Sequence, residues 1–162
     1  MTMRGGSINQ LLIITAILLI GCEPKPQPIA LGHESCSYCR MMISDQEFGS
    51  QILNKQGRAI MFDSVECMAA FDVKDDGENL HSKWVPDFLD PEQWIRADEA
   101  VYLQSETLRS PMGLYLTAHA TREKADEIRQ EYGGELLSYN QVRQLVQREW
   151  LNEHNHQSHH TP

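Results

Sequence analysis

The chain has 162 residues, with 14 Lys and Arg against 23 Asp and Glu, a formal net charge of −9 and 41% hydrophobic residues. This length predicts one domain of ordinary size, and the apolar content is enough to form its core. We expect no nucleic-acid partner, because proteins bind the phosphate backbone through basic surfaces and this chain has an acidic excess.

The N-terminal residues 1–21 have the pattern of a signal peptide. Arg4 precedes an apolar run over residues 11–20, which is shorter than the about 20 residues that span a bilayer. Two aliphatic residues and a glycine stand directly before Cys22, and this ending resembles the lipobox of bacterial lipoproteins. We predict cleavage before Cys22 and its lipidation; the alternative is an uncleaved anchor helix. Glu23 favours the outer membrane, by resemblance to Gram-negative sorting rules.

Two segments outside the domain are predicted from composition. Residues 22–34 consist of the lipidated Cys22 and a tether in which proline alternates with polar residues, a pattern typical of extended chain. The domain is predicted over residues 35–152. Residues 153–162 hold four of the seven histidines. We expect this segment to be either a solvated flexible tail or a weak site for divalent metal, since a flexible segment does not preorganise its ligands.

The first half of the predicted domain contains a hairpin, a helix and a further strand. The hairpin covers residues 48–62, with its turn at residues 54–57. A helix is predicted from a cap at Asp63, which has an acidic residue three positions on, through about Val73. Residues 84–88 are a further predicted strand, and their proline favours an edge position in the sheet.

The second half repeats this order and ends with one more helix. Gly133 and Gly134 are typical of the left-handed residues that end a helix. The strands, turn and helices are predicted, in chain order, at residues 100–103, 110–113, 114–119, 121–132, 135–139 and 141–150. The sequence therefore predicts an α+β domain made of two similar ββαβ units.

Three cysteines remain once Cys22 is assigned to lipidation. Structural disulfides come in pairs in an oxidising compartment, so at least one thiol is left over or bound. Cys36 and Cys39 form a CxxC pair, and Arg40 after it excludes covalent haem attachment, which requires histidine there. A redox pair, a structural disulfide and a zinc site all remain open. The zinc site would need Cys67 and a histidine, for example His33, His81 or His119.

Methionines beside the cysteines favour a fourth interpretation, a Cu(I) site. Met41 follows Cys39 by two residues, and thiolate and thioether are soft donors that select Cu(I) over hard cations. Met112 lies in a Pro-Met-Gly turn, where a core residue is less expected. Packing in the core is nevertheless the commoner fate of a single methionine.

The order of these motifs resembles the NosL family of accessory lipoproteins in nitrous oxide reductase maturation. The resemblance covers about residues 15–145. Besides the lipobox at Cys22, its segments are Cys36-Ser-Tyr-Cys39-Arg-Met41-Met42-Ile43, Phe62-Asp63-Ser64-Val65-Glu66-Cys67-Met68, Trp94-Ile95, Ala100-Val101-Tyr102, Ser110-Pro111-Met112-Gly113 and Gly133-Gly134.

The resemblance implies a function, a fold and a ligand set. The function is that of a lipid-anchored, periplasmic chaperone, not an enzyme. It carries one Cu(I) to the copper centres of nitrous oxide reductase, with that enzyme and a membrane transporter-like assembly as partners. The fold is a pair of ββαβ units akin to organomercurial lyase.

The ligands implied by the matching motifs are Cys36, Cys39, Met41 and Met112. Cys67 lies on a predicted helix and is expected to be a buried core residue, kept in reserve as a ligand. The main alternative is a thiol–disulfide oxidoreductase using Cys36 and Cys39. A structural zinc module is a further alternative, and lyase chemistry is suggested by fold analogy alone, which does not establish function.

Overall fold

Two antiparallel sheets form the frame of the protein, whose computed structural model describes residues 24–75 and 79–152. The first sheet consists of β1 (Ser50–Asn54), β2 (Ala59–Phe62), β3 (Leu80–Asp87) and β4 (Asp90–Arg96), in the spatial order β2-β1-β3-β4. The second consists of β5 (Val101–Gln104), β6 (Leu116–His119) and β7 (Glu135–Leu137), in the order β6-β5-β7. The helices are α1 (Val65–Lys74), α2 (Arg122–Tyr132) and α3 (Tyr139–Val146), and a π-helical turn, Gln147–Leu151, continues α3.

Both halves of the chain have the same topology. In each half the first two strands form an antiparallel pair, a helix follows, and the third strand pairs antiparallel with the other side of the first. The units are β1-β2-α1-β3 and β5-β6-α2-β7, with β4 added to the first and α3 to the second. The predicted α+β fold of two ββαβ units is confirmed.

One core joins the two units. It contains Phe62 of the first sheet, Tyr102 of the second, and Met68 of α1, all fully buried. Helix α3 contributes Val142, Leu145 and Val146 to this core. Phe88, directly after β3, donates its N–H to the carbonyl of Ala118 in β6 at 2.8 Å, which ties the two sheets together. None of the described helices is long and apolar enough to cross a membrane.

The expected edge position of Pro86 is wrong, because β3 lies between β1 and β4. Pro86 is tolerated there since the pairing with β1 reaches only the Gln51–Trp84 pair, while Pro86 itself stands opposite Trp94 of β4. The missing N–H therefore breaks no bond to β1. Strand β4 was not predicted, because its residues are mostly polar and partly exposed and Ile95 is the buried one.

The predicted tether contacts the domain before it ends. Gln27 donates its backbone N–H to the Gln51 side chain at 2.9 Å, and the Gln51 amide donates to the Gln27 carbonyl at 2.8 Å. Gln51 is fully buried, so this reciprocal pair fixes the entering chain to β1. The lipidation predicted at Cys22 and the tail predicted at residues 153–162 lie outside the described residues.

Candidate metal centre

The CxxC pair lies in a closed loop at the edge of the first sheet. Ser35 and Met42 form an isolated antiparallel bridge, and inside it the Cys36 N–H donates to the Met41 carbonyl at 2.8 Å. Arg40 has φ 69°, a left-handed conformation that turns the chain back. Ser37 donates its N–H to the carbonyl of Met61 at 2.8 Å and fixes the loop to β2. The pair therefore lies in a turn and not at a helix start.

The first turn of α1 carries the third cysteine. Ser64 is the helix cap, and its hydroxyl accepts the backbone N–H of Cys67 at 3.3 Å. The cap predicted at Asp63 is thus wrong by one residue, since the serine hydroxyl fills the position that the Asp63 carboxylate was expected to fill. Asp63 is left with its carboxylate free to face the cysteine loop.

Four side chains from these two segments converge on one point. The ligand atoms of Cys36, Cys39, Asp63 and Cys67 all lie within 4.8 Å of one another. Cys39 donates its thiol to Asp63 Oδ2 at 3.4 Å, and all three thiols are free. Asp63 is only 3% exposed, and its Oδ1 has no hydrogen-bond partner among the described residues. A buried, unpaired carboxylate oxygen beside three thiols fits a bound cation, which would neutralise it.

The three thiols differ in acidity because of their neighbours. Hydrogen bonding from Cys67 lowers the pKa of Cys36 from 9.0 to about 6, although burial acts in the opposite direction. Burial raises the pKa of Cys39 to about 11, and the charges of Cys36 and Asp63 add to this effect. The same hydrogen bond, together with burial, raises the pKa of Cys67 well above its usual value. In the metal-free centre these neighbours therefore favour the anion at Cys36 over an anion at Cys39 or Cys67.

The structure brings together Cys36 and Cys39 of the predicted ligands. It adds Cys67, which was expected in the core and is indeed fully buried, and Asp63, which was interpreted as a helix cap. The odd cysteine count was the signal for Cys67, whereas Asp63 had none, because its pattern is typical of a cap. In the described part of the chain no histidine joins the cluster, so its fourth member is a carboxylate and not the histidine considered for a zinc site.

The two predicted methionine ligands lie on different parts of the fold. Met41 follows Cys39 in the loop, where its side chain is 48% exposed. Met112 is half-buried in the Pro-Met-Gly turn and packs against the edge of the core. That turn is fastened to α1, because the Ser110 hydroxyl donates to the carboxylate of Glu66, the residue before Cys67.

Fold and site together define a protein of paired ββαβ units with a sulfur-rich candidate metal centre. A family model described as NosL matches residues 28–146, and the chain belongs to the NosL family. The structure is similar to the crystal structure of the copper chaperone NosL from Shewanella denitrificans, with a TM-score of 0.63 and 18% identity over 73% of this chain and 95% of that chain. At that identity the match shows a shared fold. A comparison with curated protein sequences finds no significant match.

Proposed function

We propose that this protein is a chaperone that carries one Cu(I) ion as cargo and is not an enzyme. The observation that carries the proposal is the convergence of three cysteine sulfurs, none of them in a disulfide, whose ligand atoms lie within 4.8 Å of one another. Thiolates and thioethers are soft donors that favour Cu(I) over hard cations. Membership of the NosL family and the fold shared with a copper chaperone support the same conclusion.

Ligand exchange is the proposed route of release. Cys36 and Cys67 are fully buried, whereas Cys39 is half-buried and Met41 is exposed. An incoming thiolate, thioether or imidazole of an acceptor can therefore approach the ion from the side of Cys39 and Met41. The buried thiols leave last, so that the ion keeps soft ligands throughout the transfer.

The proposed acceptor is nitrous oxide reductase, reached with the help of a membrane transporter-like assembly. Family membership supports this assignment. The signal-peptide pattern over residues 1–21 and the lipobox-like ending before Cys22 support export, lipidation at Cys22 and a location on the periplasmic face of the outer membrane. Several acyl chains on one cysteine anchor a protein stably, since each buried methylene contributes about 0.8 kcal/mol.

An anaerobic Cu(I) titration against a competing Cu(I) chelator tests the proposal. We expect one tight equivalent in the reduced protein and a sulfur-dominated shell by X-ray absorption. Cys39→Ser and Met112→Ala should both weaken binding. Met42→Leu is the control, because Met42 is 54% exposed beside Met41 but is not a proposed ligand. A wild type that fails to compete with the chelator contradicts the proposal.

A thiol–disulfide oxidoreductase using Cys36 and Cys39 is the second candidate. The lowered pKa of Cys36 favours it, because the thiolate is the attacking species. The complete burial of Cys36 opposes it, since attack requires access to the substrate disulfide. Reduction of insulin disulfides separates the two candidates: an oxidoreductase catalyses it and tolerates Met112→Ala, whereas the proposed chaperone does not catalyse it.

A further inference from the structure

A buried carboxylate beside the metal centre fastens the Pro-Met-Gly turn. Glu66 is fully buried in the first turn of α1, and its Oε1 accepts a hydrogen bond from the Ser110 hydroxyl, 44 residues away. Its Oε2 has no hydrogen-bond partner among the described residues. A carboxylate that is buried with an unpaired oxygen destabilises the fold, so its presence calls for a role other than packing.

Ser110 connects Glu66 to the rest of the turn through hydrogen bonds. Its hydroxyl donates to Glu66 and accepts the backbone N–H of Tyr115 at 3.0 Å, while its carbonyl accepts the N–H of Gly113 at 3.3 Å. Gly113 has φ 83° and Tyr115 has φ 59°. A left-handed tyrosine persists only where its surroundings hold it, so the hydrogen bonds of Ser110 maintain a strained turn.

Met112 lies inside this turn, two residues after Ser110, and Cys67 directly follows Glu66. We propose that Glu66 is a positioning residue that acts through Ser110 and presents the Met112 thioether to the ion held by the thiols. This inference rests on the proposed function, in which Met112 is a ligand. A single turn of α1 then fixes a thiol of the first unit directly and a thioether of the second unit through one hydrogen bond.

The hydrogen bond between Ser110 and Glu66 is expected to raise the affinity for Cu(I) because it preorganises the turn that carries Met112. A thioether is a weak ligand, and a turn free to move loses conformational entropy each time the thioether binds. Held in place, Met112 adds its full contribution to affinity. When the turn is not held, Met112 adds little to the affinity, although every thiol is still present.

A double-mutant cycle with Ser110→Ala and Met112→Ala tests the inference. Ser110→Ala removes the hydroxyl and leaves Glu66 and all ligands in place. Cu(I) affinity is measured by anaerobic chelator competition, and the sulfur ligands are counted by X-ray absorption. We expect Ser110→Ala to weaken binding about 10-fold, the lower end for residues that orient ligands. Met112→Ala should weaken the wild type similarly but have no further effect in the Ser110→Ala background.

Three further variants distinguish the positioning of Met112 from general damage to the fold. Glu66→Gln keeps an acceptor for Ser110 and should retain the wild-type affinity, whereas Glu66→Leu should behave like Ser110→Ala. Ser105→Ala is the matched control, because Ser105 is also buried and its hydroxyl also donates to a partner in the second unit, the Tyr132 carbonyl at 2.9 Å. We expect unchanged affinity in that control.

Equal losses from Met112→Ala in both backgrounds, or an unchanged affinity in Ser110→Ala, would overturn the inference while leaving the Cu(I) chaperone intact. A wild type that does not bind Cu(I) overturns the proposed function instead. In that case, NMR of the labelled Met112 methyl group in the copper-free protein tests whether Ser110 holds Met112 in place. We expect a distinct chemical shift in the wild type that moves to the value of an unfolded chain in Ser110→Ala. An identical shift in both overturns the inference.

Discussion

The three cysteines at this site differ in pKa because their nearest neighbours differ. Cys36 receives a hydrogen bond from Cys67, which stabilises the Cys36 thiolate and the protonated Cys67. For Cys39, burial is the main cause of the raised pKa, and the charge of Asp63, whose carboxylate accepts the Cys39 thiol, adds to it. The lowered pKa makes Cys36 the first of the three thiols to lose its proton, and each thiol that becomes a thiolate ligand releases a proton on binding.

The first prediction concerns this thiolate in the copper-free protein. Ultraviolet absorbance of thiolate, followed against pH, should persist down to about pH 6 and disappear below it, because a lowered pKa keeps the anion above that pH. Cys67→Ala removes the hydrogen-bond donor and should move the midpoint upward, towards the ordinary value of 9.0. Cys39→Ala should keep the low midpoint. A wild-type midpoint near that ordinary value would contradict the assigned hydrogen bond.

The second prediction concerns Asp63 and the choice of metal. Asp63→Asn keeps the size of the side chain and removes the hard anionic donor, which matters more to Zn²⁺ than to Cu(I). We expect it to weaken Zn²⁺ binding at least about 10-fold, the scale of changes near a metal, and Cu(I) binding much less. Asp45→Asn, at an exposed aspartate that accepts the Ser44 hydroxyl, is the control in the same competition assay. Equal losses for both ions would show that Asp63 does not select between them.

At the scale of elements, a buried aspartate joins α1, β3 and α3. Asp72 of α1 lies 3.2 Å from Lys83 Nζ of β3 and 3.0 Å from Arg143 Nε of α3, and accepts the Tyr139 hydroxyl at 3.2 Å. The ring of Tyr139 also lies 5.5 Å from the Lys83 ammonium group. The network therefore links the two ββαβ units on the side of α1 away from its capped end.

Asp72→Ala should destabilise the protein by about 2 kcal/mol, because it leaves the Tyr139 hydroxyl and two cations without their partner. The free energy of unfolding in urea measures this loss. Asp126→Ala is the matched control, since Asp126 pairs with Arg122 and Arg129 within the more exposed α2, and such pairs contribute about 0.5 kcal/mol. A loss in Asp72→Ala no larger than in the control would show that the network is not needed to join the units.

Elements with strong local signals could be predicted from the sequence. The hairpin turn before Arg58 and the end of α2 at Gly133 lie where the turn and cap residues indicated them, and α2 begins within one residue of its predicted start. The mostly polar β4 had no apolar alternation and depends on pairing with β3. Such a strand is specified by its neighbour and not by its own pattern.

The candidate site was less predictable because moving the helix cap by one residue changes the roles of two carboxylates, Asp63 and Glu66. With Asp63 as the cap, Glu66 would complete a capping box and neither carboxylate would face the core. With Ser64 as the cap, Asp63 faces the thiols and Glu66 reaches Ser110 in the second unit. Local propensity hardly distinguishes serine from aspartate at a cap, so the tertiary contacts decide.

At the scale of the whole molecule, a Met112 ligand would make the proposed ion a link between two units of equal topology. The four clustered side chains come from the first unit and its N-terminal loop, whereas Met112 belongs to the second. Binding to the native state stabilises it by an amount set by ligand concentration, about 2.7 kcal/mol at a free concentration 100 times Kd. If Met112 is a ligand, this stabilisation is shared by both units.

Hydrogen exchange of the backbone amides distinguishes a shared ion from one held by the first unit alone. Cu(I) should slow exchange both in the loop at residues 35–42 and in the turn at residues 110–115, because ligation restrains the local opening of each segment. In Met112→Ala the ion should protect only the loop, since the turn no longer holds a ligand. Leu114→Ala alters the same turn without removing sulfur and should keep protection of both segments. Protection of the loop alone in the wild type would place the ion entirely in the first unit, with transfer proceeding from the cysteines without the second.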